Sequence, residues 1–212
     1  MEDIYNNLLQ IDPPSVLMIR YVNFLSKIDF KPKVIYDIGS SNGMWAEFAK
    51  EAFPDARIML FDVENYGDKT KFKDIYDICL TDEDGKEVKF YQIPTMRKIN
   101  SYYKPKYHDG VSYVEKTGVT LSTFIDMYGL PEPDLIKINT CGSEMDIIKG
   151  SEELIKNAKY LIVNLQNDEA FENAPKAPVS GPYIQSLGFE IKDILDCNGT
   201  PLIDYVFENK NL

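Results

Sequence analysis

The chain has 212 residues, 44% of them hydrophobic, so it can bury one sizeable core within a single domain. Its formal net charge of −11 argues against nucleic acid as a partner, because phosphate backbones are bound by basic surfaces. The acidic start Met1-Glu2-Asp3-Ile4 is no signal peptide, no apolar run reaches membrane-spanning length, and three widely spaced cysteines match no disulfide or zinc framework. We therefore expect a soluble cytoplasmic protein with no membrane insertion and no metal site.

The chain opens with a predicted helix. Asp12-Pro13-Pro14 indicates its start, because aspartate caps helix N-termini and proline is tolerated in the first turn. The apolar residues that follow would let this helix pack as a flank against the rest of the protein. We therefore divide the chain into an N-terminal helical flank, residues 1–32, and one compact domain, residues 33–212.

A strand, a glycine loop and a helix come next. The apolar run Val34–Ile38 predicts a buried strand, and Met44–Phe53 predicts a helix. Gly39 and Gly43 bracket the loop between them, where glycine lets the backbone approach a ligand and the helix N-terminus faces it. Dinucleotide sites usually carry a third glycine, which this loop lacks. The loop therefore favours S-adenosylmethionine (SAM) over a dinucleotide, with a ligand-free turn as the alternative.

Seven strands are predicted for the main sheet. Several are apolar on both faces, which is typical of strands in a parallel sheet covered by helices. The turn Asn198-Gly199 predicts an antiparallel hairpin that finishes the sheet. The fold class is therefore α/β, with a mostly parallel seven-stranded sheet, helices on both faces and a C-terminal antiparallel hairpin. The strands are Val34–Ile38, Arg57–Phe61, Ile75–Leu80, Leu135–Ile138, Tyr160–Leu165, Phe189–Leu195 and Leu202–Phe207.

Two segments between these strands have a different character. Thr81–Gly85 is a turn signal, and Val88–Tyr91 after it predicts the arm of a hairpin. Pro94–Lys116 is predicted to be irregular, is rich in tyrosine and lysine, and is too long for a plain connection. Loops of this length in compact domains tend to be binding loops or disordered segments, and the first alternative would bring this one into contact with a substrate.

The ligand of such a sheet binds outside the carboxyl ends of the strands, where the strand order reverses. Asp62 ends the second strand and is placed to accept hydrogen bonds from both hydroxyls of a ribose. Residues at the end of the third strand are suited to pack beside an adenine ring. The predicted cofactor-binding residues are Asp37, Gly39, Ser40, Ser41, Asn42, Gly43, Trp45, Asp62, Val63, Ile78, Cys79, Leu80 and Asn139.

Several blocks of the sequence resemble FkbM-type SAM-dependent methyltransferases. The resemblance is carried by Asp37–Gly43, by Val119–Ile125 and above all by Pro133–Gly150. The family's version of the third block reads DLIKIDTQGSELDILKG, a long and specific match. The tail fits as well, through Ser186–Glu190 and the closing strand Ile203–Phe207. Together these blocks cover most of the predicted domain.

The resemblance implies a Rossmann-like class I methyltransferase fold and an enzyme that uses SAM and releases S-adenosylhomocysteine (SAH). It implies an acceptor hydroxyl on a sugar, such as a deoxyhexose or another glycan residue, and tyrosines suit such a ligand. Relatives include virus-encoded and bacterial glycan-decorating domains, some fused to glycosyltransferases, which are therefore expected partners by analogy. The predicted acceptor-binding residues are Ser101, Tyr102, Tyr103, His108, Thr140, Cys141 and Glu169.

Methyl transfer to a neutral hydroxyl benefits from a base that takes the proton. His108 is the only histidine, and its ordinary pKa of about 6.5 suits that role. Glu144 is the second candidate, and its place at a predicted helix start also allows a purely helix-stabilising role.

The chain departs from the family at three positions. Asn139 stands where the family has aspartate, Asn164 where it often has glutamate, and Ser41 where it has asparagine. Asparagine cannot take a proton, which excludes a base at position 139 and weakens divalent metal binding there. A non-catalytic SAM-binding or scaffold domain is therefore the main alternative, and a metal-dependent methyltransferase is another.

A nicotinamide-dependent reductase is the remaining alternative. It would share the first strand and Asp62, and Tyr102 and Lys106 have the Tyr-x-x-x-Lys spacing of short-chain reductases. Pro105 lies between them and would break the helix that brings such a pair onto one face. The missing third glycine also argues against this class.

Overall fold

The computed structural model describes residues 24–25, 27–28, 30–64, 70–195 and 201–212. The predicted helix start at Asp12-Pro13-Pro14 and the predicted turn Asn198-Gly199 lie outside the described residues. Phe24 and Leu25 are helical, and Leu25 is buried in the core.

Seven strands form one sheet, as predicted, and two more form a separate hairpin. The order in the sheet is β3-β2-β1-β6-β7-β9-β8, and only β9 is antiparallel to its neighbours. The chain leaves β1 toward β2 on one side and returns to β6 on the other, which opens a crevice at their carboxyl ends. The strands are β1 (Val34–Ile38), β2 (Arg57–Asp62), β3 (Asp74–Asp77), β4 (Glu87–Gln92), β5 (Ser112–Thr117), β6 (Leu135–Ile138), β7 (Tyr160–Gln166), β8 (Phe189–Leu195) and β9 (Leu202–Asn209).

Helices cover both faces of the sheet. Alternate residues of each strand face opposite sides, so Ile35 packs with Trp45 on one face and Tyr36 packs in the cluster of Phe124 on the other. The central strands are buried along their whole length for this reason. In the described part of the chain, no helix has the length and apolar character needed to cross a membrane. The helices are α1 (Met44–Ala52), α2 (Leu121–Tyr128), α3 (Glu144–Lys149), α4 (Glu152–Ile155) and α5 (Ala177–Ser186).

The hairpin of β4 and β5 confirms one prediction and corrects another. The hairpin arm predicted at Val88–Tyr91 is part of β4, and its partner is β5. The segment predicted as irregular, Pro94–Lys116, therefore ends in a strand and also contains a 3-10 turn, Arg97–Ile99. Strand β5 is solvent-exposed along most of its length, so it lacks the alternation that marks a strand in sequence.

The third strand of the sheet is shorter than predicted. It spans Asp74–Asp77 and pairs with β2, whereas the prediction extended it to Leu80. Leu80 forms an isolated bridge with Val119 instead. The apolar run continues past the strand because Cys79 and Leu80 are buried beneath the loop that leads into α2.

Candidate functional site

The loop after β1 is shaped by glycine. Gly39 has φ +72° and Gly43 has φ +79°, in the left-handed region. A Cβ atom at Gly39 would lie 1.8 Å from the carbonyl oxygen of Asn139. The backbone N–H of Gly39 donates to the carbonyl of Phe61 at 2.8 Å. The ends of β1, β2 and β6 therefore meet so closely that only glycine fits at position 39.

A buried ion pair lies directly beneath this loop. Lys137 Nζ on β6 donates to Asp37 Oδ1 at 2.9 Å and to the carbonyl oxygen of Gly39 at 3.0 Å. Both side chains are almost fully buried, and Lys137 lies over the ring of Trp45. Within the described residues, Asp37 Oδ2 is buried without a hydrogen-bond partner. Lys137 thus pairs with one carboxylate oxygen of Asp37, and it holds the loop in place through the carbonyl oxygen of Gly39.

Asp62 is held at the end of β2 by backbone donors. Its Oδ2 accepts from Ser41 N at 2.7 Å and its Oδ1 accepts from Glu64 N at 3.1 Å. Burial raises the pKa of Asp62, and these two N–H groups oppose that rise. Each carboxylate oxygen has a further lone pair for a ligand hydroxyl, so the carboxyl group is oriented before any ligand binds.

These elements open into a cleft of about 540 Å³, part of it open to solvent. We define its strand-end half as Gly39, Ser41, Asp62, Val63, Ile78, Leu80 and Asn139, and its loop half as Arg97, Lys98, Asn100, Ser101, Tyr102, Thr140, Cys141 and Ser143. Apolar residues Ile38, Phe61, Phe90 and Ile147 complete the lining.

Eleven of the predicted site residues line this cleft. They comprise the whole strand-end half and Ser101, Tyr102, Thr140 and Cys141 of the loop half. The other predicted residues lie outside the lining. These are Asp37, Ser40, Asn42, Gly43, Trp45 and Cys79 of the cofactor set, Tyr103 and Glu169 of the acceptor set, and the predicted bases His108 and Glu144.

Glu144 supports the loop after β6 from below. Its Oε1 accepts from Thr140 N at 2.8 Å, and its Oε2 accepts from Gly142 N at 3.0 Å. Between these donors, Cys141 takes φ +59° and Gly142 takes φ +109°. Burial raises the pKa of Glu144 to about 7. Its carboxylate therefore braces this strained loop and does not face the cleft.

Glu169 belongs to a pair of surface ion pairs outside the cleft lining, and His108 is also outside that lining. Lys106 forms an ion pair with Glu169, and Lys106 N donates to the carbonyl of Ala170 at 2.9 Å. A second ion pair joins Lys104 to Glu172 at 2.8 Å. His108 follows this anchored stretch, and burial lowers the pKa of its imidazole.

Asp146 is a functional candidate that the residue-by-residue prediction missed. The hydroxyls of Tyr102 and Tyr103 both donate to Asp146 Oδ2 at 3.1 Å, and Lys86 Nζ lies 3.8 Å from the same oxygen. Burial, reinforced by the charge of Asp146, raises the pKa of Tyr102. Tyr102, a residue of the cleft lining, therefore keeps a neutral hydroxyl that is hydrogen-bonded to a carboxylate.

Other lining residues were also missed, and two of them had a signal in the sequence. Arg97 and Lys98 are adjacent cations within the tyrosine-rich segment of an acidic chain. Asn164, which departs from the family pattern, is not in the lining. Its Nδ2 donates to Asp204 Oδ1 at 2.9 Å, which ties β7 to β9.

The family model described as "Methyltransferase FkbM domain" matches residues 37–196. A search of curated protein sequences finds no match.

Solved structures share the fold at low identity. A methyltransferase FkbM from Methylobacillus flagellatus KT has TM-score 0.52 and 13% identity over 96% of this chain, which spans 57% of that protein. A 1,6-didemethyltoxoflavin-N1-methyltransferase from Burkholderia thailandensis has TM-score 0.53 and 10% identity, covering 97% of this chain and 83% of the other. A SAM-dependent methyltransferase from Aquifex aeolicus has TM-score 0.50 and 13% identity, covering 99% and 98%. The fold is thus that of class I methyltransferases.

Proposed function

The chain belongs to the FkbM methyltransferase domain family, and on this premise we propose that it transfers a methyl group from SAM to a sugar hydroxyl. The observation that carries the proposal is the composition of one cleft. An oriented acid and a glycine loop lie in its strand-end half, and hydroxyl and amide side chains lie in its loop half. A cofactor with a ribose and an acceptor rich in hydroxyls would use these two sets.

The strand-end half fits SAM on three counts. Asp62 can accept from the ribose hydroxyls, and Val63, Ile78 and Leu80 offer apolar contact to an adenine ring. The third is Asp37 Oδ2, a buried acceptor beneath the loop that has no hydrogen-bond partner among the described residues. Bound SAM would supply a methyl group that its sulfonium makes electrophilic. The protein would hold that group and exclude water.

The loop half would align the acceptor. Asn100, Ser101 and Thr140 offer the mixed donors and acceptors that sugar hydroxyls need, and Tyr102 adds a flat face. Because Tyr102 donates its own proton to Asp146, its oxygen can accept the hydrogen of the acceptor hydroxyl. The acceptor proton would pass to Tyr102 as the Tyr102 proton passes to Asp146. The roles of His108 and Glu144 as bases stay predictions that this proton route does not use, and a cytoplasmic location and glycosyltransferase partners also stay predictions.

Two measurements test the proposed function. Calorimetric titration should give micromolar binding of SAH and no binding of NADH. Methyl transfer from radiolabelled SAM to a panel of deoxysugar-containing acceptors should then give product, with and without EDTA. SAH binding with no product from any acceptor would support the scaffold alternative, and absence of SAH binding would contradict the cofactor assignment.

The proton route has its own test. Tyr102→Phe should lower the turnover number about 100-fold, within the range of roughly 10²–10⁴ for general acid–base groups, with SAH affinity retained. His108→Ala serves as the comparison, because His108 does not line the cleft. A slower His108→Ala enzyme together with a fully active Tyr102→Phe enzyme would restore His108 as the base.

A further inference from the structure

The loop half of the cleft carries a charge pattern opposite to that of the whole protein. The chain has a formal net charge of −11. Among the described residues that line the cleft, the acid is Asp62, in the strand-end half, and the cations are Arg97 and Lys98, in the loop half. The charged side chains that line the two halves therefore have opposite sign, which would orient an anionic ligand toward the loop half.

These two cations stand on a turn with many backbone anchors. Tyr91 N donates to the carbonyl oxygen of Ser101 at 2.6 Å, and Ser101 N donates to the carbonyl oxygen of Tyr91 at 3.1 Å. Ile93 N donates to Asn100 Oδ1 at 2.9 Å, and the buried side chain of Ile99 packs into the core beneath. The 3-10 turn Arg97–Ile99 is thus clamped at its C-terminal side to β4.

A second anchor joins the turn to the loop after β6. The thiol of Cys141 donates to the carbonyl oxygen of Lys98 at 3.6 Å, a weak contact between two residues of the cleft lining. On the other side, Glu64 accepts from the amides of Gln92 and Asn100, which connects the turn to the residues after Asp62. The backbone of Lys98 is therefore fixed relative to both halves of the cleft.

Two cations on an anchored backbone, in the lining beside the proposed acceptor site, favour a specific ligand chemistry. Arg97 can form a bidentate pair with a carboxylate or a phosphate, and Lys98 supplies a second positive charge. A neutral sugar has no charged group with which Arg97 or Lys98 could pair. We infer that the acceptor is an anionic sugar, with a carboxylate or phosphate group that Arg97 and Lys98 bind. This inference rests on the proposed function and names the substrate class of the same cleft.

The test is a set of binding titrations on the SAH-saturated protein. The probes are glucuronate, glucose 1-phosphate and neutral glucose. At low salt we expect at least one anion to bind about tenfold or more tightly than glucose, because charged hydrogen bonds are the strong ones. Preference for glucuronate would identify a carboxylate as the group bound, and preference for glucose 1-phosphate would identify a phosphate.

Two matched double variants distinguish ligand binding by Arg97 and Lys98 from the effect of a change in the net charge of the protein. Arg97→Gln/Lys98→Gln should weaken binding of the preferred anion about tenfold or more and leave SAH affinity within about twofold. Lys31→Gln/Lys73→Gln removes the same charge from exposed positions outside the cleft and should change neither affinity. All four side chains are solvent-exposed, so both proteins should fold.

Four results would overturn the inference. They are equal binding of all three probes, absence of binding by both anions, equal losses in the two double variants, and a tenfold loss of SAH affinity in Arg97→Gln/Lys98→Gln. The last would assign the basic pair to the carboxylate of SAM. Absence of SAH binding by the wild-type protein is a different failure, because it removes the proposed function on which the inference rests.

Discussion

In the strand-end half of the cleft, backbone groups at the ends of parallel strands set the geometry, whereas the loop half is built by side chains of the segment between β4 and β5 and of the loop after β6. Gly39 and Ser41 take positive φ angles, and backbone N–H groups orient Asp62. In the loop half, Tyr102 is oriented by another side chain, Asp146. The geometry of the strand-end half therefore follows from the parallel sheet. The geometry of the loop half depends instead on side-chain contacts that are particular to this sequence. Substitutions should therefore have different consequences in the two halves.

The largest expected effect is at the ion pair beneath the strand-end half. Lys137→Met leaves the buried carboxyl group of Asp37 without its cation, and removing one partner of such a pair costs about 3–5 kcal/mol. Urea unfolding should show this loss of stability. Lys73→Met, at an exposed position, should stay within about 0.5 kcal/mol of the wild type. An unchanged midpoint for Lys137→Met would mean that Lys137 does not support the loop.

Two glycine substitutions test backbone geometry. Gly39→Ala should cost about 3 kcal/mol, because it adds strain at φ +72° to the overlap with the backbone of Asn139. Gly43→Ala is the matched control, since its φ is +79° but its nearest neighbour would be the side chain of Leu60 at 3.3 Å. We expect about 1 kcal/mol there. Equal losses by chemical denaturation would show that φ, and not close packing, makes glycine necessary at position 39.

A pair of carboxyl substitutions separates the two halves by function. Asp62→Ala should weaken SAH binding about tenfold or more, given about 1.5–3 kcal/mol for charged hydrogen bonds. Asp146→Asn, behind the loop half, should keep SAH affinity within about twofold and slow methyl transfer. Calorimetry and a turnover assay measure both. Unchanged SAH affinity in Asp62→Ala would remove this residue from the site.

The smallest expected effect is at Glu208 on β9. This residue lies outside both halves of the cleft, so its substitution provides a reference. Lys192 and Lys210 lower the pKa of Glu208 on β9 to about 2, from an ordinary 4.5. A lowered folded-state pKa contributes stability that is present above about pH 4.5 and is lost as the pH falls toward 2. Glu208→Gln should therefore cost about 1 kcal/mol at pH 6 and almost nothing near pH 2.

Chemical denaturation at the two pH values measures this difference. The same variant should bind SAH like the wild type, since Glu208 does not line the cleft. A stability loss that persists unchanged at pH 2 would show that the ion pairs are not its cause.

The strand-end half could be predicted almost completely from the sequence. Glycines at fixed offsets and an acid after an apolar run are local signals, and the carboxyl ends of parallel strands must share one edge of the sheet. All seven residues that form this half were predicted. In the loop half, Ser101, Tyr102, Thr140 and Cys141 were predicted, whereas Arg97, Lys98, Asn100 and Ser143 were not.

The sequence by itself determined the seven strands, the glycine loop and the position of Asp62, because each depends on neighbours within a few residues. Only the tertiary structure decided the partner of β4, the cation for Asp37 and the carboxylate behind Tyr102. Lys137 and Asp37 are 100 residues apart, and Tyr102 and Asp146 are 44 apart. No local periodicity encodes such pairs. They form when packing removes water and a buried polar group must find its partner in the surrounding elements.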